Sequence, residues 1–126
     1  MSDNCKLDKM FELREKFMRH LAEKNKNVVQ DWPLDPREKK SQQTIRDTIL
    51  KGVEEVFESL THFKNFKNHR VTEVTTFDRA EFLEEYVDAL NYFFAALVML
   101  GITPQELFDM YVKKDSVIHA RIDNGY

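Results

Sequence analysis

From Tyr86 to Leu100 the only strongly polar side chains are Asp88 and Asn91; all the others are Tyr, Val, Ala, Leu, Phe or Met. Read as a helix, such a segment is apolar on nearly every face and is expected to be buried. A buried Asp must be paired or coordinated, because an unpaired buried charge is very expensive. Asp88 and Asn91 are three apart and share a face, and Glu85 extends that face by one turn. The chain must therefore wrap other helices around this one and supply Asp88 with a partner.

A second stretch offers one. Glu55-Val56-Phe57-Glu58 and Glu85-Tyr86-Val87-Asp88 are two carboxylate pairs at helical spacing, separated by the 26 residues 59–84. Each pair points two carboxylates the same way. If the two helices pack antiparallel, four carboxylates converge. Such a group either holds protons at strongly shifted pKa values or holds a metal. Oxygen ligands without thiolates favour magnesium, manganese or calcium over zinc. A structural salt bridge from Asp88 to a Lys or Arg is the competing reading. Glu-x-x-Glu is also cheap in a chain that is 33% charged. Glu12/Glu15 and Glu81/Glu84 fit the same spacing and read as solvated faces.

The capping signals give the rest of the architecture. Asp35-Pro36-Arg37-Glu38, Asp78-Arg79-Ala80-Glu81 and Thr103-Pro104-Gln105-Glu106 each place an N-cap acceptor and an early Glu at a helix start, two of them with Pro at the first helical position. The expected helices run over 6–24, 36–63, 79–100 and 104–122. Gly101 serves as a left-handed cap to the third. Gly52 interrupts the second at a cost of about 1 kcal/mol relative to Ala; close backbone approach and incidental placement explain it equally well. Residues 64–76 read as a polar, basic loop with a short strand-like piece at 71–75. Trp32, the only Trp, beside Pro33, reads as a core plug ahead of a ligand platform. Four helices without a convincing strand predict an all-α bundle, and 126 residues predict a single domain over 1–126. The abundance of aromatic residues, ten of them Phe, predicts a dimer that completes the core.

Several function classes are disfavoured. A net charge of −3 provides no general basic surface for nucleic acid or anionic membrane. The single Cys5 excludes an intrachain disulfide framework. Residues 1–20 have no signal-peptide pattern, and the apolar run Tyr92 to Leu100 is too short to span a bilayer, so a soluble cytoplasmic protein is expected. His20, His62, His69 and His119 lack zinc spacing; His62, four residues past Glu58, has the best claim to a role. Basic residues near the acidic pairs point to phosphate: Lys51, Lys64 and Lys67, with Lys114 and Arg121 seven apart on the last helix. Carboxylates, a divalent cation and a few Lys/Arg suit polyphosphate cleavage. Taken singly, each of these basic residues also reads as solvated surface.

The pattern Glu-x-x-Glu, spacer, Glu-x-x-Asp resembles the all-α nucleoside triphosphate pyrophosphohydrolases, which include MazG and the dimeric dUTPases. The nearer likeness is to the phage dCTPase/dUTPase branch. It is carried also by Met10-Phe11-Glu12-Leu13-Arg14, by Phe63-Lys64-Asn65-Phe66-Lys67, and by the tail from Tyr111-Val112-Lys113-Lys114-Asp115 to Ala120-Arg121-Ile122-Asp123-Asn124-Gly125-Tyr126. The resemblance implies a four-to-five-helix bundle whose core is completed by dimerisation, as a homodimer or a dimer of dimers. It implies that Glu55, Glu58, Glu85 and Asp88 bind magnesium, with manganese as a substitute. Water would attack the α-phosphate of a deoxynucleoside triphosphate, dUTP or dCTP, with Glu55 or Glu58 orienting or deprotonating it. Lys114 and Arg121, helped by Lys51, Lys64 or Lys67, would hold the phosphates, and Asn91 would line the sugar or phosphate side. A phage-encoded chain would work in the cytoplasm of the bacterial host.

Departures from that pattern fall on the base pocket, here Arg14, Met18, Trp32 and Ile118. Arg14 and Met18 stand where relatives carry Gln, Asp115 and Ile118 where they carry Asn, and Ile122 where they carry Gln. Amides both donate and accept, which suits a pyrimidine edge, whereas Arg pairs naturally with guanine. A purine or modified-base deoxynucleotide is therefore an alternative substrate. A helical module that binds nucleotide or a partner without turnover is the alternative of another class.

Overall fold

Side-chain caps mark the starts of two of the four helices, those beginning at Arg79 and Pro104. The computed structural model describes residues 5–125 and contains four helices: α1 (Lys6–Lys24), α2 (Lys39–Leu60), α3 (Arg79–Met99) and α4 (Pro104–Asp123). Among the described residues there is no strand; the segment 71–75, expected to hold a short strand-like piece, has no regular secondary structure. Tyr126, the last residue of the tail compared above, lies outside the described residues.

Thr103 caps α4 as expected, accepting from the Glu106 amide at 3.1 Å while Glu106 reaches back to the Thr103 amide at 3.2 Å. Asp78 accepts from the Glu81 amide at 2.9 Å at the start of α3. The expected start of α2 is corrected. Asp35 spends its side chain on the Arg37 amide and guanidinium, both at 3.0 Å, and its carbonyl on the Glu38 amide. That closes an isolated turn, and the helix starts at Lys39 behind Glu38, whose side chain makes no cap bond. At the other end α2 tightens beyond Leu60 into turns that carry Thr61, His62 and Phe63 onto the carbonyls of Glu58, Ser59 and Leu60.

The chain divides into two compact units, Leu34–Ala96 and the segments up to Pro33 and from Leu97. In the first, α2 and α3 run antiparallel. Gly52 faces Phe93, the Glu55 carboxyl senses Asp88 and Glu85, His62 meets Glu85, and Phe63 meets Phe82, so positions rise on one helix as they fall on the other. Phe63, Phe77 and Phe82 form a ring cluster with centroids 5.0 to 5.9 Å apart, which ties the ends of the 61–78 connection together. Asn65 braces the same connection by bonding both the amide and the carbonyl of Thr72.

Gly52 is buried, and a Cβ there would lie within 3.0 Å of three carbons of the Phe93 ring. Its absence is what allows α3 to approach. Gly52→Ala is expected to destabilise the protein by about 1–3 kcal/mol through overpacking, despite the better helix propensity of Ala. A lowered urea midpoint with unchanged slope would show it; an unchanged or raised midpoint would mean that Phe93 simply swings aside.

In the second unit α1 packs with α4. Gly101, with φ 72°, ends α3 in a Schellman motif: its amide bonds Val98 and the Ile102 amide bonds Leu97, each at 3.0 Å. Phe11, Ala22, Val98 and Met99 are buried here, whereas α4 buries none of its residues. Met110 is 60% exposed, Tyr111 73% and Ile122 61%, so the helix carries an uncovered apolar surface. No single helix among the described residues is long and apolar enough to cross a membrane.

Candidate functional site

The antiparallel pairing of α2 and α3 brings Glu55, Glu58, Glu85 and Asp88 together. The Glu55 carboxyl is pushed above the ordinary range first by partial burial, then by the charge of Glu58 and a hydrogen bond to it, then by the charges of Asp88 and Glu85. Protonation of Glu55 would relieve the mutual repulsion of the group. Lys9, Lys16, Arg19, Arg37 and Arg46 pair with other carboxylates, Glu12, Glu15, Asp35 and Asp47.

Asp88 itself is exposed, as are its neighbours Tyr86 and Val87, which corrects the expected burial of that face. α3 buries Ala89, Ala95, Ala96, Val98 and Met99 instead, and its acidic end opens to solvent. The stripe remains accessible to a hydrated cation and to a highly charged ligand. Its all-oxygen donor set suits magnesium or manganese.

Two residues beyond the four carboxylates join this group: His62, the histidine with the best claim to a role, and Glu81. His62 Nε2 lies 2.7 Å from Glu85 Oε2, with 15% of its side chain exposed and its ring edge-on to Phe82. Glu81, expected on a solvated face, is exposed but sits one turn before Glu85. Donor atoms of His62, Glu81 and Glu85 all lie within 4.8 Å of one another. The i, i+4 spacing of Glu81 and Glu85 was available in the sequence; the arrival of His62, 23 residues away, was not.

The other candidates divide between the units. Lys51, Lys64 and Lys67 are exposed in the unit that holds the carboxylates, without ion pairs among the described residues, and Lys67 Nζ lies 5.9 Å from the Phe66 ring centre. Asn91 is half-buried on α3. Lys114, Ile118 and Arg121 are exposed on α4, where Arg121 lines a shallow cavity with Val117, Ala120, Asn124 and Gly125. Arg14 and Met18 are half-buried on α1, the Arg14 guanidinium 4.1 Å above the Phe17 ring. Trp32 donates from Nε1 to Glu15 at 3.2 Å, and Arg19 covers its ring at 4.5 Å. One face and the polar edge of Trp32 are thus engaged although the side chain is only half-buried, not a plug in the core, and Glu15 is a holding residue instead of part of a merely solvated face. No family model matches the chain, and no curated protein or solved structure matches it either.

Proposed function

We propose that the chain is a magnesium-dependent nucleoside triphosphate pyrophosphohydrolase that converts a deoxynucleoside triphosphate, dUTP or dCTP, to the monophosphate and pyrophosphate. The observation that carries this reading is the gathering of Glu58, Asp88 and Glu85 around the Glu55 carboxyl by the antiparallel helices α2 and α3. Glu55, Glu58, Glu85 and Asp88 would hold the cation. When bound, magnesium (or manganese) supplies positive charge against the phosphates and makes water more acidic.

The side chains do the remaining work. Glu55 or Glu58 takes a proton from the attacking water, and the raised carboxyl of Glu55 is suited to that task. The water oxygen bonds to the α-phosphorus as the bond to the bridging oxygen breaks, and pyrophosphate leaves. Lys51, Lys64, Lys67, Lys114 and Arg121 are the candidate clamps for phosphate oxygens, and Asn91 is the candidate for the sugar. Base choice falls to Arg14, Met18, Ile118 and the exposed part of Trp32.

A panel of common deoxy- and ribonucleoside triphosphates with magnesium, resolved by chromatography, tests the proposal. Monophosphate and pyrophosphate from dUTP or dCTP support it. Turnover of a purine nucleotide would shift base choice onto Arg14, and tight nucleotide binding without turnover would favour the non-catalytic module.

The uncovered apolar surface of α4 supports a homodimer or a dimer of dimers. Sedimentation velocity is expected to show at least a dimer, and Tyr111→Lys combined with Met110→Glu to lower the mass. A wild-type monomer at micromolar concentration would contradict this.

A further inference from the structure

We propose that His62, Glu81 and Glu85 form a second cation position, adjoining the four-carboxylate one through Glu85, that selects manganese, cobalt or zinc over magnesium. The inference rests on reading the acidic stripe as a metal centre, not on the reaction assigned to it. His62 and the two carboxylates come from opposite sides of the antiparallel pair, and their donor atoms already lie within 4.8 Å of one another. His62 is largely withdrawn from solvent and held edge-on by Phe82, so its nitrogen is aimed before any ligand arrives. A cation there would replace the proton that bridges Nε2 and Glu85 Oε2.

The donor chemistry sets the selectivity. Glu55, Glu58 and Asp88 offer oxygen alone, which magnesium accepts. An imidazole with two carboxylates adds nitrogen, which first-row transition cations bind more tightly than magnesium does. The loop that delivers His62 is anchored by the Phe63–Phe77–Phe82 cluster, so this position is built by the fold of that connection as well as by the helices.

Manganese binding in the presence of a large excess of magnesium tests the assignment, read by electron paramagnetic resonance and by broadening of the histidine ring signals in proton NMR. One manganese per chain should survive the excess magnesium and broaden His62 before His20, His69 or His119. His62→Gln should weaken that binding about tenfold or more, and Glu81→Gln, at an exposed position, should do the same without endangering the fold. Glu55→Gln should leave it in place. The proposal is overturned if magnesium displaces all the manganese, if another histidine broadens first, or if Glu81→Gln binds manganese as wild type does. Failure of the wider metal-centre reading would look different: neither cation would bind the wild-type protein at all.

Discussion

Glu58→Gln is expected to lower magnesium-dependent release of pyrophosphate by at least about 10²-fold, the scale of losing a positioned proton acceptor. Glu58 is the carboxylate that acts most strongly on Glu55: its charge and its hydrogen bond are the largest causes, after burial, of the raised Glu55 carboxyl. Gln preserves the shape and removes the charge. On the proposed reading the variant loses both a cation ligand and the carboxylate whose charge acts most strongly on Glu55, while α2 keeps its length and packing. Circular dichroism should match that of wild type. A variant retaining a third or more of wild-type turnover would remove Glu58 from the machinery.

The second large effect is on stability, and its sign depends on the cation. A carboxyl whose pKa is raised in the folded state stabilises the fold when protonated. That contribution is complete below the ordinary carboxylate range, near pH 4, and is lost as pH rises through the raised folded value. Without divalent cations, Glu55→Gln should equal wild type in stability at low pH, gain on it as pH rises from the ordinary carboxylate value through the raised one, and keep a constant lead beyond. Magnesium should reverse the order. At a free concentration about a hundredfold above its dissociation constant it adds about 2.7 kcal/mol to a protein that binds it, and less to a variant lacking a ligand. Thermal melts of both proteins, with magnesium and with chelator, should cross. Parallel melts would mean that the carboxylates hold no cation.

Much of the fold could be read from local chemistry. The amphipathic stripe from Leu7 to Leu21, the Thr103 capping box and the Gly101 terminus each act within a few residues, and α1, α3 and α4 begin and end within one residue of expectation. The start of α2 moved by three because Asp35 had two uses for one carboxylate, and the nearby Arg37 won. Asp88 was misplaced for a different reason. Apolar composition reports that a helix has something to bury, but not which of its faces the chain covers. Here the small side chains Ala89, Ala95 and Ala96 are the buried ones, and the turn bearing Asp88 stays open. The convergence of the four carboxylates could be inferred because two local spacings and one antiparallel pairing suffice for it. The approach of His62 to Glu85 depends on the course of a connection that no local period encodes.

The proposed reaction is tested most directly by running it on dUTP and dCTP in ¹⁸O-enriched water with magnesium and tracing the label by mass spectrometry. Attack at the α-phosphorus predicts label in the monophosphate and none in pyrophosphate. Label in pyrophosphate, release of orthophosphate with a diphosphate, or no product from the folded protein with either nucleotide would contradict it.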